Sequence, residues 1–376
     1  MNNAKGARHK IIKTAGYSIY LLIVVWIGLE IALRIYNPFH FRIKGDKILL
    51  PVDQKMLIRN EINPRLDSEI TNTRNSLGLR GPEMPADIRQ YLSIITVGGS
   101  ATECHFLSDD HTWPFLTGEA LKKTFRNVWL NNAGLDGHST FGHQVMLNDY
   151  LVELRPKVIL FLIGINDVEN DQPSFHDKLN TRGACPDLKH YLYNSLETVN
   201  LAVNLARGWR AQRFNNTTQA LKSPRVGNEL FLTEEQVRRR LSGQEPFLSS
   251  YGKRIEQLID TCRAYEIEPV FITQPSLYGS GTDSLTKANL ALSKIGEDMN
   301  GELFWRLLEL YNTRLRETCL RAGAQVIDLA ARMPKNSVYY YDAIHFTNEG
   351  AKQVAGIVSE ELSQALQEKF PEYMLR

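Results

Sequence analysis

The sequence predicts a three-layer α/β/α sandwich on a parallel sheet, preceded by one apolar helix. Three observations carry this. From residue 91 onward, short apolar runs alternate with segments of helical spacing. One run, KVILFLIG at 157–164, is apolar after its lysine, as in a strand covered on both faces. Near the start, 17–33 reads YSIYLLIVVWIGLEIAL with Glu30 its one charge, close to the ~20 residues that cross a bilayer core as a helix.

The apolar helix comes first in the chain. Ala15 and Gly16 extend the run, Tyr17, Tyr20 and Trp26 supply aromatics, and Tyr36 suits the far interface. No small-x-small cleavage site follows. Glu30, Arg34 and the bulky Ile35-Tyr36 suit a signal peptidase poorly, so an uncleaved anchor is expected over 14–35, after a short tail at 1–13. A buried core helix is the alternative, disfavoured because such helices usually show a polar face. Lys5, Arg8, Lys10 and Lys13 precede the run and Arg34, Arg42, Lys44 and Lys47 follow it, so the flanking charges do not orient it.

With anchor and linker set aside, roughly 280 residues remain, ample for one α/β sheet with an insertion. Apolar content of 43% and charged content of 23% are those of a globular chain, and a net charge of +2 without a basic, aromatic-laced stripe argues against a nucleic-acid surface. Cys104, Cys185, Cys262 and Cys319 form no CxxC pair and no zinc spacing. Buried thiols are the expectation; a disulfide stays open if the domain faces an oxidising compartment.

Residues 36–90 read as a linker and extended arm, with Pro38, Pro51, Pro64, Pro82 and Pro85 and little periodicity. Within it NSLGLRGPE at 75–83 is either a segment that docks through its arginines or a plain surface turn. The domain at 91–376 then opens with a strand at 93–99. Helix 113–123, strand 128–134, helix 143–154 closed by Arg155-Pro156, and strand 157–164 follow. Further on come strand 269–275, helix 302–322 ended by Gly323, strand 324–330, and a last helix capped by Thr347 and running to about 368. Between Asp171 and Pro269 no strand is evident. Leu188, Leu192, Leu196, Val199 and Val203 keep helical spacing, and Thr233 with Gln236 makes a capping-box pattern, so 172–268 reads as a helical insertion.

Four short motifs fall at strand ends, where open α/β sheets build their sites. Gly98-Gly-Ser-Ala-Thr102 lets a serine hydroxyl project at the head of a helix, beside backbone N–H groups suited to an oxyanion; it lacks the phosphate-loop pattern. Asn132-Ala-Gly-Leu-Asp-Gly-His-Ser-Thr140 has glycines that admit close backbone approach. Gly164-Ile-Asn-Asp167 can aim an amide across the sheet end. In Asp342-Ala-Ile-His345 the carboxylate can hold one ring nitrogen while the other takes a proton from a hydroxyl.

Taken together and in this order, the motifs resemble those of the SGNH hydrolase superfamily, named for Ser, Gly, Asn and His in four blocks. The resemblance covers about 91–368 apart from the insertion, and it implies a flavodoxin-like sandwich. By motif, Ser100 corresponds to the nucleophile, Gly137 to the second-block glycine, Asn166 to the asparagine of GxND, and Asp342 and His345 to the last block. Ser100 and Gly137 amides and the Asn166 side chain would form the oxyanion hole, each donor worth roughly 3 kcal/mol. Gly99 stands where the family often has Asp, a departure that bears on substrate rather than mechanism. The anchor and the NxxGxRGPE arm resemble a bacterial membrane-anchored branch, which implies an N-terminus inside and a periplasmic catalytic domain.

The resemblance implies ester hydrolysis, on an acylated glycan, lipid or small molecule, with no metal or organic cofactor. Acyl transfer to a polysaccharide hydroxyl would use the same residues, with the difference carried by the insertion. A non-catalytic envelope binding protein is disfavoured because all four blocks keep reactive residue types. His138 and His143 stand five apart, a poor metal spacing on a helix. Asp167 is expected to hold its loop, and Cys104 to pack. Asp342 rather than Asp328 is expected to orient His345.

Overall fold

The computed structural model describes residues 2–36, 52–60, 63–173 and 224–375, with short pieces at 43–44, 47–48, 195–199 and 201–202 and single residues 50, 177 and 205. The chain divides into two compact units, one from 1–51 and 179–218, the other from 52–178 and 219–376.

In the first unit helix α1 spans Asn2–Ile35, and its stretch Lys13–Ile35 has a mean hydropathy of 2.0. Among the described residues this is the one helix long and apolar enough to cross a membrane. Its single carboxylate is not left alone. Glu30 accepts hydrogen bonds from the Glu197 and Thr198 amides at 3.0 and 2.9 Å and from the Thr198 hydroxyl, while Arg34 closes a salt bridge at 2.8 Å. Trp26 Nε1 donates to Thr198 Oγ1, and Arg34 donates to the Ser195 carbonyl. A carboxylate within so apolar a segment is accommodated by pairing of this kind. A two-residue antiparallel pair, β1 (Ile43–Lys44) with β2 (Lys47–Ile48), completes the described part of this unit.

The second unit opens on a hairpin, β3 (Gln54–Arg59) against β4 (Glu69–Arg74), inside the stretch whose sequence suggests a linker and arm. Its buried positions on β4 are Ile70, Asn72 and Arg74, a mostly polar set that gives no apolar alternation to read. The 75–83 segment is docked rather than a free turn. Arg80 is buried and donates to the Glu103, Cys104 and Leu107 carbonyls and to Asp109.

The main sheet holds five parallel strands, β5 (Leu92–Gly98), β6 (Val128–Asn132), β7 (Val158–Ile163), β8 (Glu268–Thr273) and β9 (Gln325–Ile327), in the order β6-β5-β7-β8-β9. Counted along the chain this is 2-1-3-4-5, which puts the topological switch between β5 and β7. Both strands are buried at every position; β7 is apolar throughout, whereas β5 buries Ser93 and Thr96 among its apolar residues. Ile94, Leu160 and Ile272 share one core cluster with Trp113 and Leu121 of α3 (Trp113–Leu121) and Val354 and Val358 of the C-terminal helix Asn348–Lys369. The alternate residues Ile95, Phe161 and Phe271 face the other side, where Phe161 and Phe271 stack at 5.0 Å.

Ser100–Glu103 forms the single turn α2. Helix α4 (Thr140–Met146) starts three residues earlier than its apolar spacing suggests, because Ser139 caps it; a π-turn at Leu147–Leu151 joins it to α5 (Val152–Leu154). The described part of the insertion holds α6 (Glu234–Ser242), opened by the expected Thr233–Gln236 capping box, and the 20-residue α7 (Glu245–Ala264). Leu188, Leu192 and Val203 lie outside the described residues. Helix α8 (Gly301–Ala322) packs on α7 and ends on Gly323 in the left-handed region, followed after β9 by α9 (Leu329–Arg332) and α10 (Asn348–Lys369).

Candidate active site

The site forms at the carboxyl ends of β5 and β7, on the switch point. Gly98 and Gly99 end β5 with no room for side chains. A Cβ on Gly98 would lie 2.6 Å from the Leu162 carbonyl, and one on Gly99 would lie 2.3 Å from Asn166 Nδ2. Ser100 therefore starts α2 directly off the strand. The turn stops after one cycle because Cys104 adopts the left-handed region (φ 53°).

His345 arrives from the loop before α10. Asp342 Oδ1 accepts from the Ile344 and His345 amides at 3.0 and 2.9 Å, folding the loop around the carboxylate. Its Oδ2 lies 2.6 Å from His345 Nδ1. A carboxylate only accepts, so Nδ1 carries the proton and Nε2 is left as acceptor. Ser100 Oγ lies 2.6 Å from that Nε2. Other parts of the unit pin this loop. Arg65 donates to the Ser337, Tyr340 and Tyr341 carbonyls, and the Leu277 amide donates to Ala343. Burial disfavours the imidazolium, but the bond and charge of Asp342, with Asp136 and Glu103 adding, outweigh it and raise the His345 pKa above its ordinary value.

Asn166 sits in the turn Ile165–Asp167 after β7 and donates from Nδ2 to the His138 carbonyl at 2.9 Å. Gly137 takes φ 70° in the preceding loop, which lies along β5 through bonds from Ala133 N to Thr96 and from Leu135 N to Gly98. So the structure joins Ser100, His345 and Asp342 in one hydrogen-bonded chain, and sets Asn166 against Gly99 and the loop that carries Gly137. It keeps Asp328 apart, with Thr273 and Arg316 as its partners.

The cysteine and histidine neighbours resolve as follows. Cys104, Cys262 and Cys319 are buried and free, and burial pushes the Cys104 thiol up to about 12; Cys185 lies outside the described residues. The His138 and His143 rings stand 6.1 Å apart, and burial, with His138 adding, pushes His143 down to about 3, so it is neutral. No group of three His, Cys, Asp or Glu suited to a metal occurs among the described residues. Beside the serine, Ser100, Ala101, Cys104, Leu107, Tyr341, His345 and Phe346 line a pocket of about 10 Å³, room for one water or one methyl group. Arg65 and Arg254 carry no sequence signal of their own, since the groups they bond are far away in the chain.

The GDSL-like lipase/acylhydrolase family model matches residues 95–353, more than half of the chain. The chain belongs to this family, and it is an SGNH-type ester hydrolase. No curated protein matches it. Among solved structures it is similar to LAE5, an α/β hydrolase from the metagenome of Lake Arreo, Spain (13% identity, 73% of this chain and 96% of that one, TM-score 0.42). It is also similar to the acetyl xylan esterase AlAXEase (14% identity, 72% and 98%, TM-score 0.39) and to a putative acylhydrolase from Bacteroides fragilis (13% identity, 76% and 92%, TM-score 0.40).

Proposed function

We propose that this hydrolase cleaves short-acyl esters, acetyl esters above all, through Ser100, His345 and Asp342. The observation that carries the reading is the chain of two 2.6 Å contacts from Ser100 Oγ through the imidazole to Asp342. The Ser100 proton passes to His345 Nε2 as Oγ attacks the carbonyl carbon. The oxyanion is held by the Ser100 and Gly137 amides and the Asn166 Nδ2. Collapse expels the alcohol, which takes the proton from Nε2. Water then gives a proton to Nε2, attacks the acyl-serine, and the acid leaves as Ser100 regains its proton. Asp342 holds the tautomer and offsets the imidazolium charge throughout.

The pocket beside Ser100 supports the acyl size. The pocket walled by Cys104, Leu107, Tyr341 and Phe346 is of methyl size, which favours a short acyl group. Helix 14–35 is the anchor in this reading, with the hydrolase unit on the periplasmic side, as the resemblance to the anchored branch implies. The test uses the full chain in detergent against aryl acetate, butyrate and octanoate, with Ser100→Ala beside it. Acetate should turn over fastest and the variant should be inactive. Faster octanoate hydrolysis overturns the acyl size, and an active Ser100→Ala overturns the nucleophile.

A further inference from the structure

Behind the two side-chain and backbone donors lies a buried ionic cluster that the chemistry above does not use. Asp167, next to Asn166, is 1% exposed. It accepts from the Thr140 amide at 3.0 Å and from the Thr140 hydroxyl at 2.5 Å. Arg254, from the middle of α7 and 4% exposed, closes the cluster. Its Nε donates to Thr140 Oγ1 at 2.6 Å, its Nη2 to Asp167 at 3.3 Å and, at 3.4 Å, to the Asn170 carbonyl. Nη1 donates to Ser250, and the guanidinium lies 4.0 Å over the Phe141 ring.

The cluster joins two strand ends. Thr140 follows the loop that carries Gly137 and His138 after β6; Asp167 follows Asn166 after β7. These segments touch directly where Asn166 Nδ2 donates to the His138 carbonyl and where the Thr140 amide and hydroxyl donate to Asp167, and Arg254 braces the second of these contacts. One guanidinium fork reaches both, and a planar fork with fixed donor directions sets distance and angle together. On the far side of the loop, Asp177 accepts from the Ser139 amide and hydroxyl and from the Gly142 amide, so the loop is held from two sides.

We propose that Arg254 is a positioning residue for the oxyanion donors, fixing through Thr140 and Asp167 the distance between the Gly137 amide and the Asn166 side chain. This rests on the reading of those two groups as donors. A donor displaced by a fraction of an ångström stabilises the transition state less while substrate binding is unaffected.

The test is a double-mutant cycle on the full chain in detergent, with kcat expressed per folded site. Arg254→Met should lower kcat by about 10- to 100-fold with KM little changed. Arg254→Lys, which keeps the charge and one donor, should recover part of the loss. Combined with Asn166→Ala, the loss should fall well short of the product of the single losses, because the positioned donor is already gone. A fully multiplicative loss, or an unchanged kcat per folded site, overturns the proposal. An Asn166→Ala variant with unchanged kcat instead removes the donor reading underneath it. Arg254→Met leaves Asp167 buried without its cation. If it fails to fold, Thr140→Val takes its place in the cycle, since it cuts the same link while keeping the ion pair.

Discussion

The Tyr341 ring lies flat against the imidazole of His345, with centroids 5.4 Å apart and planes 9° from parallel. Phe106 meets the tyrosine edge-on at 6.3 Å. One face of the histidine is thus sheathed in aromatic surface while both ring nitrogens are engaged. Burial of this kind works against the charged imidazole, yet the carboxylate beside it raises the pKa overall.

Activity and stability should therefore move in opposite directions with pH. The base works only when neutral, so kcat/KM should rise through a midpoint above about 6.5, the unperturbed value. The raised folded pKa means that proton uptake favours the folded chain. That contribution is complete below the unfolded value and fades as pH climbs through the folded one. Rate profiles and chemical denaturation measured across the same pH range check both limbs. A kinetic midpoint below 6.5 would show that the carboxylate does not govern the base.

Asp342→Asn should fold normally and lose up to about 10⁴-fold in kcat, since the amide can present its NH₂ to Nδ1 and favour the wrong tautomer. Asp328→Asn should leave turnover nearly intact, because Asp328 faces Thr273 and Arg316 instead. Labelling of Ser100 by a fluorophosphonate gives a second readout, and His345→Ala should abolish it. Strong loss in Asp328→Asn with none in Asp342→Asn would reverse the assignment.

Arg80→Ala should destabilise the chain by about 1–3 kcal/mol, the usual cost of leaving buried acceptors unpaired. Its guanidinium satisfies the carbonyls of Glu103 and Cys104, where the single turn bearing Ser100 ends. Urea denaturation should show the loss. A change under about 1 kcal/mol would mean that water replaces the guanidinium without cost.

How much of this was readable beforehand follows from where the signals sit. The central strand is the most legible because both its faces are covered, so Val158–Ile163 is apolar at every position. The Ser100, Asn166 and His345 motifs are legible because each fits in a few residues at a strand end. The β3–β4 hairpin is not, since β4 buries an asparagine and an arginine where alternation would need apolar residues. Arg254 is equally silent. In sequence it is one more arginine on an amphipathic helix, and its partners Thr140 and Asp167 stand 114 and 87 positions away.

Fractionation should place the full chain in membranes and a chain starting near residue 40, which lacks the apolar segment Lys13–Ile35, in the soluble fraction. Recovery of the full chain in the soluble fraction without detergent would refute the anchor.

On the anchor reading, the grip of Glu30 on the amides of Glu197 and Thr198, 167 and 168 positions further on, adds a non-covalent tether to the covalent one. A protease nick between residues 36 and 52 severs the covalent path from the helix to everything after it. The stretch at 195–198 still clasps that helix through Glu30, Trp26 and Arg34, and it is continuous with the strands on either side of it in the chain. If the helix is the anchor, shaving at that position should leave the hydrolase sedimenting with the bilayer as a two-piece molecule, released by a second cut or by loss of the Glu30 clasp.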